Sequence, residues 1–458
     1  MASTLPKLGD TSSAIVSPAK EHALGRAWLR QLRSQVSTIE DALIFEYFEN
    51  LLYLLASNSE LTAPNLELVV LNSPQINAFA VPGGVIGLNA GLLLHARTED
   101  ELAAVIAHEL AHLSQRHFAR GLEAGQRAQW TNLAALLASV VIAATAGGEA
   151  GMAALATTQA ASIEQQLRFS RHNESEADRV GIQTLVQAEM DPHAMPGFFE
   201  QLLQATRYSG TRPPEFLLTH PVTQSRISDS RNRASTYPSR PPSNNLEFYL
   251  MKVRALVEFS RDLSGTIKDL ETKLQEQKTQ NAEVTRFGLA HAYLKANQLD
   301  KALEQINLLM TKRTNRITYA ATKAEILKTQ GKYDEAEKLL RQELEFSPKN
   351  YPLSVAMAET LLRNNKPQKA NAALKELLER YPGRPYLWYL LSESYGKQKF
   401  AIGAHESRAE YFFLNGHTAR ALEQLKFGLA EAKNDYNAES RIKRRIDQIQ
   451  ASKEDLKL

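Results

Sequence analysis

The sequence predicts a mostly α-helical protein in two parts: an α+β domain carrying a small sheet, and after it an all-α solenoid. Three observations predict this. Apolar residues recur at helical spacing through most of the chain. Between residues 66 and 88, short runs of strand type are broken by Pro82-Gly83-Gly84. Beyond residue 246 a small residue returns every 34 positions, at Ala302, Ala336, Ala370 and Ala404, which is the period of tetratricopeptide repeats.

Length and composition bound the reading. A chain of 458 residues exceeds the size at which one core keeps growing, so two or three domains are expected. The expected division is an N-terminal arm over 1–20, a first domain over 21–236, a linker over 237–245 and the repeat domain over 246–458. A net charge of +3 is too small and too evenly spread to argue for nucleic acid. The run Arg441-Ile442-Lys443-Arg444-Arg445 reads as a solvated helix face. Cysteine is absent, which excludes disulfides and thiolate metal sites. Met1 to Pro6 has neither a basic nor an apolar signal-peptide region, which fits a cytoplasmic protein or a mature exported form.

Taken in order, Glu21 to Ser57 is helical by pattern, with Leu29, Leu32 and Val36, then Leu43, Ile44, Phe48, Leu51 and Leu52. Leu66–Leu71, Ile76–Val81 and Val85–Leu88 read as three strands. Thr98-Glu99-Asp100-Glu101 then reads as a capping box, with Thr98 as N-cap and Glu101 reaching back to it. Leu102, Val105, Ile106, Leu110 and Leu113 follow at helical spacing.

Inside that helix stands His108-Glu109-x-x-His112. One turn of 3.6 residues puts both imidazoles on one face, where they can hold one Zn²⁺ at about 2.0–2.1 Å each. Glu109, a quarter turn away, can reach a water at the metal without displacing it, as a general base must. The bland alternative is a chance match on an ordinary helix, against which stand the cap and the buried face beside the histidines.

Trp130 to Gly148 is uncharged and rich in Ala, Leu, Val and Ile. Its length suits a membrane span. Its alanines, Asn132, Ser139 and Thr145 make insertion marginal, so a hairpin with Gly151–Ala161 is the better expectation. A flap over the site and a membrane-touching loop are both compatible with it.

Arg168 to Met190 carries Glu174, Glu176 and Asp178 on a helix that stops before Asp191-Pro192. Glu174 and Asp178 are four apart and share a face. A histidine pair needs a third ligand, and a carboxylate from a second helix would complete the set with one position open. Glu174 is the choice and Glu176 the rival. Asp178 could orient a ligand histidine or donate a proton. On its own this acidic pair would be only a solvated helix face. His117 follows His112 by five residues, with no glycine to bend the helix between them, so it does not fit a third-ligand pattern. Thr219-His220-Pro221 lies on a breaker-rich loop before Arg226.

In that order, Asn77-Ala78-Phe79-Ala80-x-Pro82-Gly83-Gly84, His108-Glu109-x-x-His112, Glu174-x-x-Ala177-Asp178 and Thr219-His220-Pro221-x-x-x-x-Arg226 resemble the HtpX/Oma-type zinc peptidases. That is a gluzincin family, and the resemblance covers about residues 20–235. It implies one Zn²⁺ per chain held by His108, His112 and Glu174, Glu109 as base and Asp178 assisting. His220 becomes a candidate fourth ligand or oxyanion stabiliser, and Asn77 and Arg226 candidates for contact with substrate or with the ligands.

Tyr237 to Asn245 is a linker by composition. Leu289-Ala290-x-x-Tyr293 and Trp388-x-x-Leu391-Ser392-x-x-Tyr395 then open repeats, and Pro348 and Pro382 close theirs. Ala421 falls half a period after Ala404, so the helix at 401–413 reads as shared between two repeats. Such arrays form curved grooves for partner segments. A peptidase of this type with such an array resembles the periplasmic branch of the family. That implies misfolded or stalled outer-membrane β-barrel proteins and their assembly machinery as partners, and a periplasmic location. A chaperone or adaptor with a silent zinc site, and a cytoplasmic quality-control peptidase, are the competing readings. An intact Glu109 argues against the first of these.

Overall fold

Ser17 caps the first helix by accepting a hydrogen bond from Lys20 N, and Pro18 occupies its first turn. Helix α1, Pro18–Arg33, leads to α2, Ala42–Ser57. The computed structural model describes residues 17–62, 65–124, 160–208, 214–241, 243–276, 282–312 and 316–452. These fall into two compact units. One holds the residues up to Ile39 with Phe48–Asn244; the other holds Glu40–Tyr47 and the residues from Asn245 onward.

In the first unit, β1 (Glu67–Leu71), β2 (Ala78–Val81) and β3 (Val85–Asn89) form a sheet in the order β1-β3-β2. β1 runs parallel to β3, with Glu67 opposite Val85, and β2 antiparallel to it, with Val81 opposite Val85. The tight β2–β3 turn needs Gly83 and Gly84, both at φ +78°. A Cβ on Gly83 would also fall 2.4 Å from the Glu21 carbonyl oxygen. Leu24, Trp28, Leu29 and Leu32 of α1 pack on Val69, Leu71, Phe79, Val81 and Val85. Trp28 meets Phe79 edge-on at 5.4 Å.

After α3 (Leu92–His95) comes α4, Glu99–Ser114, buried almost throughout from Glu99 to Ala111. Thr98 caps it as expected, accepting from Glu101 N at 3.3 Å. The reciprocal bond is displaced by one residue. Glu101 accepts from Arg97 N at 2.6 Å, not from Thr98, and its other oxygen takes Arg97 Nε at 3.1 Å. The guanidinium draws the carboxylate past the cap. Asp100 accepts from Asp191 N at 3.2 Å and Ser243 N at 2.6 Å, tying the end of the expected linker to the start of α4.

α5 (His117–Ala124) follows; α6 (Ala160–Gln187), α7 (Ala194–Tyr208), the short α8 (Glu215–Thr219) and α9 (Gln224–Ala234) complete the unit. α4 packs on β2 on one side and on α6 and α7 on the other, and α9 lies against α6 and α7. Gly181 allows the close approach of α6 to α4: a Cβ there would sit 3.3 Å from His108 N and 2.8 Å from Met195 Cε. Fully buried Ile106 and Leu110 each contribute roughly 1.5–3 kcal/mol by burial.

The second unit carries a succession of helices from Leu246 to Ala451; Leu246–Glu258 packs on Ala282–Lys295, and from Leu263–Gln275 onward each helix packs on the next. Ala302, Ala336 and Ala370 are fully buried, where paired helices cross. Ala404 is not: it is only half-buried, and Gly403 takes the close position beside Phe400 and Tyr395. Ala421, half a period on, is fully buried again. Among the described residues no helix is long and apolar enough to cross a membrane. Residues 130–159 of the expected apolar hairpin lie outside the described residues.

Candidate metal centre

Four side chains from three elements converge. α4 supplies His108 and His112, α6 supplies Glu174, and His220 comes from the C-cap of α8. One donor atom from each lies within 4.8 Å of all the others. His112 Nε2 is 3.1 Å from His108 Nε2, and His220 Nδ1 is 3.3 Å from that same nitrogen. The Glu174 oxygens sit 3.4 Å from His108 Nε2, 3.4 Å from His112 Nε2 and 3.1 Å from His220 Nδ1. Ring nitrogens that face one another with their lone pairs are satisfied only by protons or by a cation between them. An imidazole and carboxylate set without sulfur suits a borderline or hard divalent ion.

The breaker-rich segment around His220 is more ordered than its composition suggests. His220 N donates to Phe216 O at 2.8 Å, its ring stacks on Phe216 at 4.8 Å, and Phe216 N donates to Ile76 O beside the sheet. His220 is buried as a result. Phe199 and Phe216 stand edge-on to the His108 ring at 6.4 and 6.3 Å, an apolar wall that spacing alone did not reveal.

Asp178 takes up the far side of His108, its Oδ1 3.0 Å from Nδ1. It also receives Arg226, whose third nitrogen reaches Glu174 Oε2 at 2.9 Å. Burial alone would raise both carboxyl groups. His220, with hydrogen bonds from His108, His112 and His220, outweighs burial and holds Glu174 well below the ordinary carboxylate range. The His108 ring, 3.0 Å away, and the Arg226 guanidinium do the same for Asp178. Burial opposes a charge on His108, yet Asp178 and Glu174 together push it up. The pocket therefore draws positive charge, and a metal ion would compete with protons for it.

Glu109 is buried, and neither of its oxygens finds a hydrogen bond among the described residues. His220 Nε2 stands 3.4 Å from its Oε1. A buried carboxylate without a hydrogen bond is costly, and its one ion-pair contact among the described residues is with a histidine of the cluster. Asn77 is buried in the residue before β2, the strand against α4.

Glu176 stands apart from the cluster. Two residues on from Glu174, it faces away and accepts from Arg120 Nη1 at 2.8 Å. His117 does not continue α4 either. The helix ends at Ser114, and Arg116, at φ +49°, turns the chain in place of the missing glycine. His117 is thereby swung back, with Nδ1 3.0 Å from His112 Nδ1 and Nε2 3.1 Å from Glu176. Sequence reasoning gave neither His117 nor Glu176 this place. The one available signal was a second acidic residue on α6, out of phase with the first.

Comparison with known proteins places both parts of the chain in known families. A model of peptidase family M48 matches residues 44–234, and a tetratricopeptide-repeat model matches 327–393. The beta-barrel assembly-enhancing protease of Escherichia coli (strain K12) is 32% identical over 456 residues, covering 100% of this chain and 93% of that protein. Its Yersinia pestis counterpart is 31% identical, with 97% and 91% covered. The mitochondrial metalloendopeptidase OMA1 of Arabidopsis thaliana is 33% identical over 166 residues, 36% of this chain and 31% of its own length. A peptidase domain followed by repeats, aligned from end to end with those bacterial proteins, makes this chain a member of the beta-barrel assembly-enhancing protease family, a metalloprotease family of the M48 type.

Proposed function

We propose that this chain is a zinc endopeptidase that works in the periplasm on misfolded or stalled outer-membrane β-barrel proteins, and that its repeats recruit these substrates or the assembly machinery. The observation that carries the reading is the buried carboxylate of Glu109, without a hydrogen bond among the described residues, beside the His108, His112, Glu174 and His220 cluster. The similarity to named beta-barrel assembly-enhancing proteases supports the substrate class. The peptidase part is assigned to 21–236, the linker to 237–245 and the recruiting array to 246–458, with the first twenty residues as an arm.

His108, His112 and Glu174 would hold one zinc ion. When bound, zinc supplies Lewis-acid polarisation of the scissile carbonyl and brings the acidity of water toward neutral pH. Glu109 takes the proton from the attacking water and delivers it to the leaving amine. Asp178 holds His108 by its Nδ1–H, so that Nε2 keeps its lone pair for the ion. With Arg226 on both of its oxygens, Asp178 is better suited to orienting than to donating a proton.

His220 either occupies the fourth position at rest, as a neutral imidazole can, or hydrogen-bonds the oxyanion of the tetrahedral intermediate. Its Nδ1, facing Glu174 and His108, favours the first. The two roles differ in sign: His220→Ala raises proteolysis if the histidine blocks and lowers it if the histidine stabilises.

The test of the whole reading is metal analysis of the purified chain together with cleavage of an unfolded outer-membrane protein. Zinc is expected near one per chain. Glu109→Gln should keep it while losing about 10²–10⁴-fold in rate. Full activity in zinc-loaded Glu109→Gln protein would sink the mechanism.

A further inference from the structure

Among the described residues, His112 is the one histidine of the His108–His112 pair that no carboxylate touches from behind. His108 has Asp178 on its Nδ1. Behind His112 Nδ1 stands His117 Nδ1 at 3.0 Å, and behind His117 Nε2 stands Glu176 at 3.1 Å. Arg120 fixes that carboxylate from the other side at 2.8 Å, and Arg179 adds a longer ion pair at 3.7 Å. His117 is buried and Glu176 half-buried.

We propose that His117, with Glu176 and Arg120 behind it, is a positioning residue that fixes the tautomer and orientation of His112 at the metal site. The proposal rests on the metal-binding reading above. It follows from the order of donors and acceptors. A neutral imidazole carries one proton. If His112 Nε2 gives its lone pair to a metal, its proton lies on Nδ1. That N–H must then donate to His117 Nδ1, so His117 is the acceptor there. The His117 proton is thereby placed on Nε2, where it donates to Glu176. An ionised carboxylate only accepts, and Arg120 only donates, so the row ends without conflict. No other proton arrangement satisfies all three contacts with His112 as a ligand.

The fold builds this row deliberately. Arg116 in the left-handed region ends α4 and aims His117 at the residue five positions before it. α6 then serves both ligand histidines with alternate faces: Glu174 and Asp178 to the cluster, Glu176 to His117. Groups that orient a ligand histidine typically change metal affinity 10–100-fold when removed.

The experiment is zinc affinity of the full-length chain, measured by competition with a chromophoric chelator, for native protein, His117→Phe, His117→Gln and Glu176→Ala. Folding is followed by circular dichroism. Native protein that binds no zinc would fail the metal-binding reading itself. With native binding established, His117→Phe should weaken zinc about 10–100-fold. His117→Gln should stay close to native, because the Gln oxygen can accept from His112 Nδ1–H. Glu176→Ala should lower affinity in the same direction by less, and it decides the matter if the phenylalanine variant does not fold. Unchanged affinity in His117→Phe or Glu176→Ala overturns the proposal. So does a glutamine variant as weak as the phenylalanine one, since the hydrogen bond would then not be what matters.

Discussion

Asp178 and Arg226 meet in a two-point ion pair, with Arg226 Nε donating to Oδ2 at 2.9 Å and Nη2 to Oδ1 at 2.7 Å. The same guanidinium reaches Glu174 Oε2 at 2.9 Å and donates to Pro221 O at 2.8 Å. One planar cation therefore joins Glu174 and Asp178 of α6 and the segment that carries His220. A lysine has one charged point and cannot reproduce this fork.

Arg226→Lys is accordingly expected to weaken zinc about 10–100-fold, through Asp178 and Glu174. Arg226→Ala leaves buried carboxylates without their cation and should cost about 3–5 kcal/mol in denaturant unfolding. Asp178→Asn should lower metal affinity in the same 10–100-fold range while leaving the fold intact. A chelator titration and a urea curve on each variant check all three. Native affinity in Arg226→Lys would show that Arg226 has no hold on the ligands.

Glu174→Ala should lower zinc occupancy far more than Glu176→Ala. Glu174 lies within 3.4 Å of both helix histidines, whereas the histidine that Glu176 touches among the described residues is His117. Elemental analysis after dialysis gives the comparison. If Glu176→Ala strips the metal and Glu174→Ala keeps it, the ligand assignment is wrong.

The repeat alanines should tolerate bulk unequally. Ala336 and Ala370 are fully buried at helix crossings, so Ala336→Leu and Ala370→Leu should each cost about 1–3 kcal/mol by overpacking. Ala404→Leu, at a half-buried position, should cost less. Thermal melting of the intact protein ranks the three. Equal losses would mean that the repeat period, not the burial, predicts the cost.

The array should lose stability in mild acid. His291 is buried, and its Nδ1 faces Arg254 Nη1 at 3.2 Å while Nε2 faces Glu258 at 2.7 Å. Arg254 can only donate, so His291 is neutral with its proton on Nε2. Burial first, and the Arg254 charge next, lower its pKa below the ordinary 6.5. Below that pH the unfolded chain binds a proton that the folded array refuses, so stability falls as pH falls, by at most about 1.4 kcal/mol per pH unit for this one group. Gln can accept from Arg254 and donate to Glu258, so His291→Gln should fold and show a shallower decline between pH 6.5 and 5. The check is urea unfolding of both proteins across that range, and parallel curves would remove His291 from the explanation.

Much of the fold was legible because its signals are local. The 3.6-residue turn alone sets His108 and His112 side by side, and Thr98 announces the helix that holds them. The strands came out within two residues of their observed bounds because Pro82-Gly83-Gly84 and the apolar runs mark them. The 34-residue period located the buried alanines at 302, 336 and 370, since each repeat meets the same neighbour in the same way. At Ala404 the period misled, because Gly403 there makes the close approach.

Tertiary structure decided everything that depends on how separate helices are turned toward one another. His220 meets His108 across 112 residues and Glu174 across 46, and Arg226 meets Asp178 across 48. No periodicity reports such distances. The helical pattern of α6 showed that Glu174 and Glu176 face apart, but not which of them faces α4; the close approach at Gly181 fixes that rotation. His117 needed the left-handed turn at Arg116, a conformation that most sequences would mark with glycine and this one does not. Glu40–Tyr47 groups with residues two hundred positions later, through contacts such as Asp41 with Arg254 at 2.5 Å. A local pattern fixes the order of side chains along one element, and only packing fixes which elements share a site.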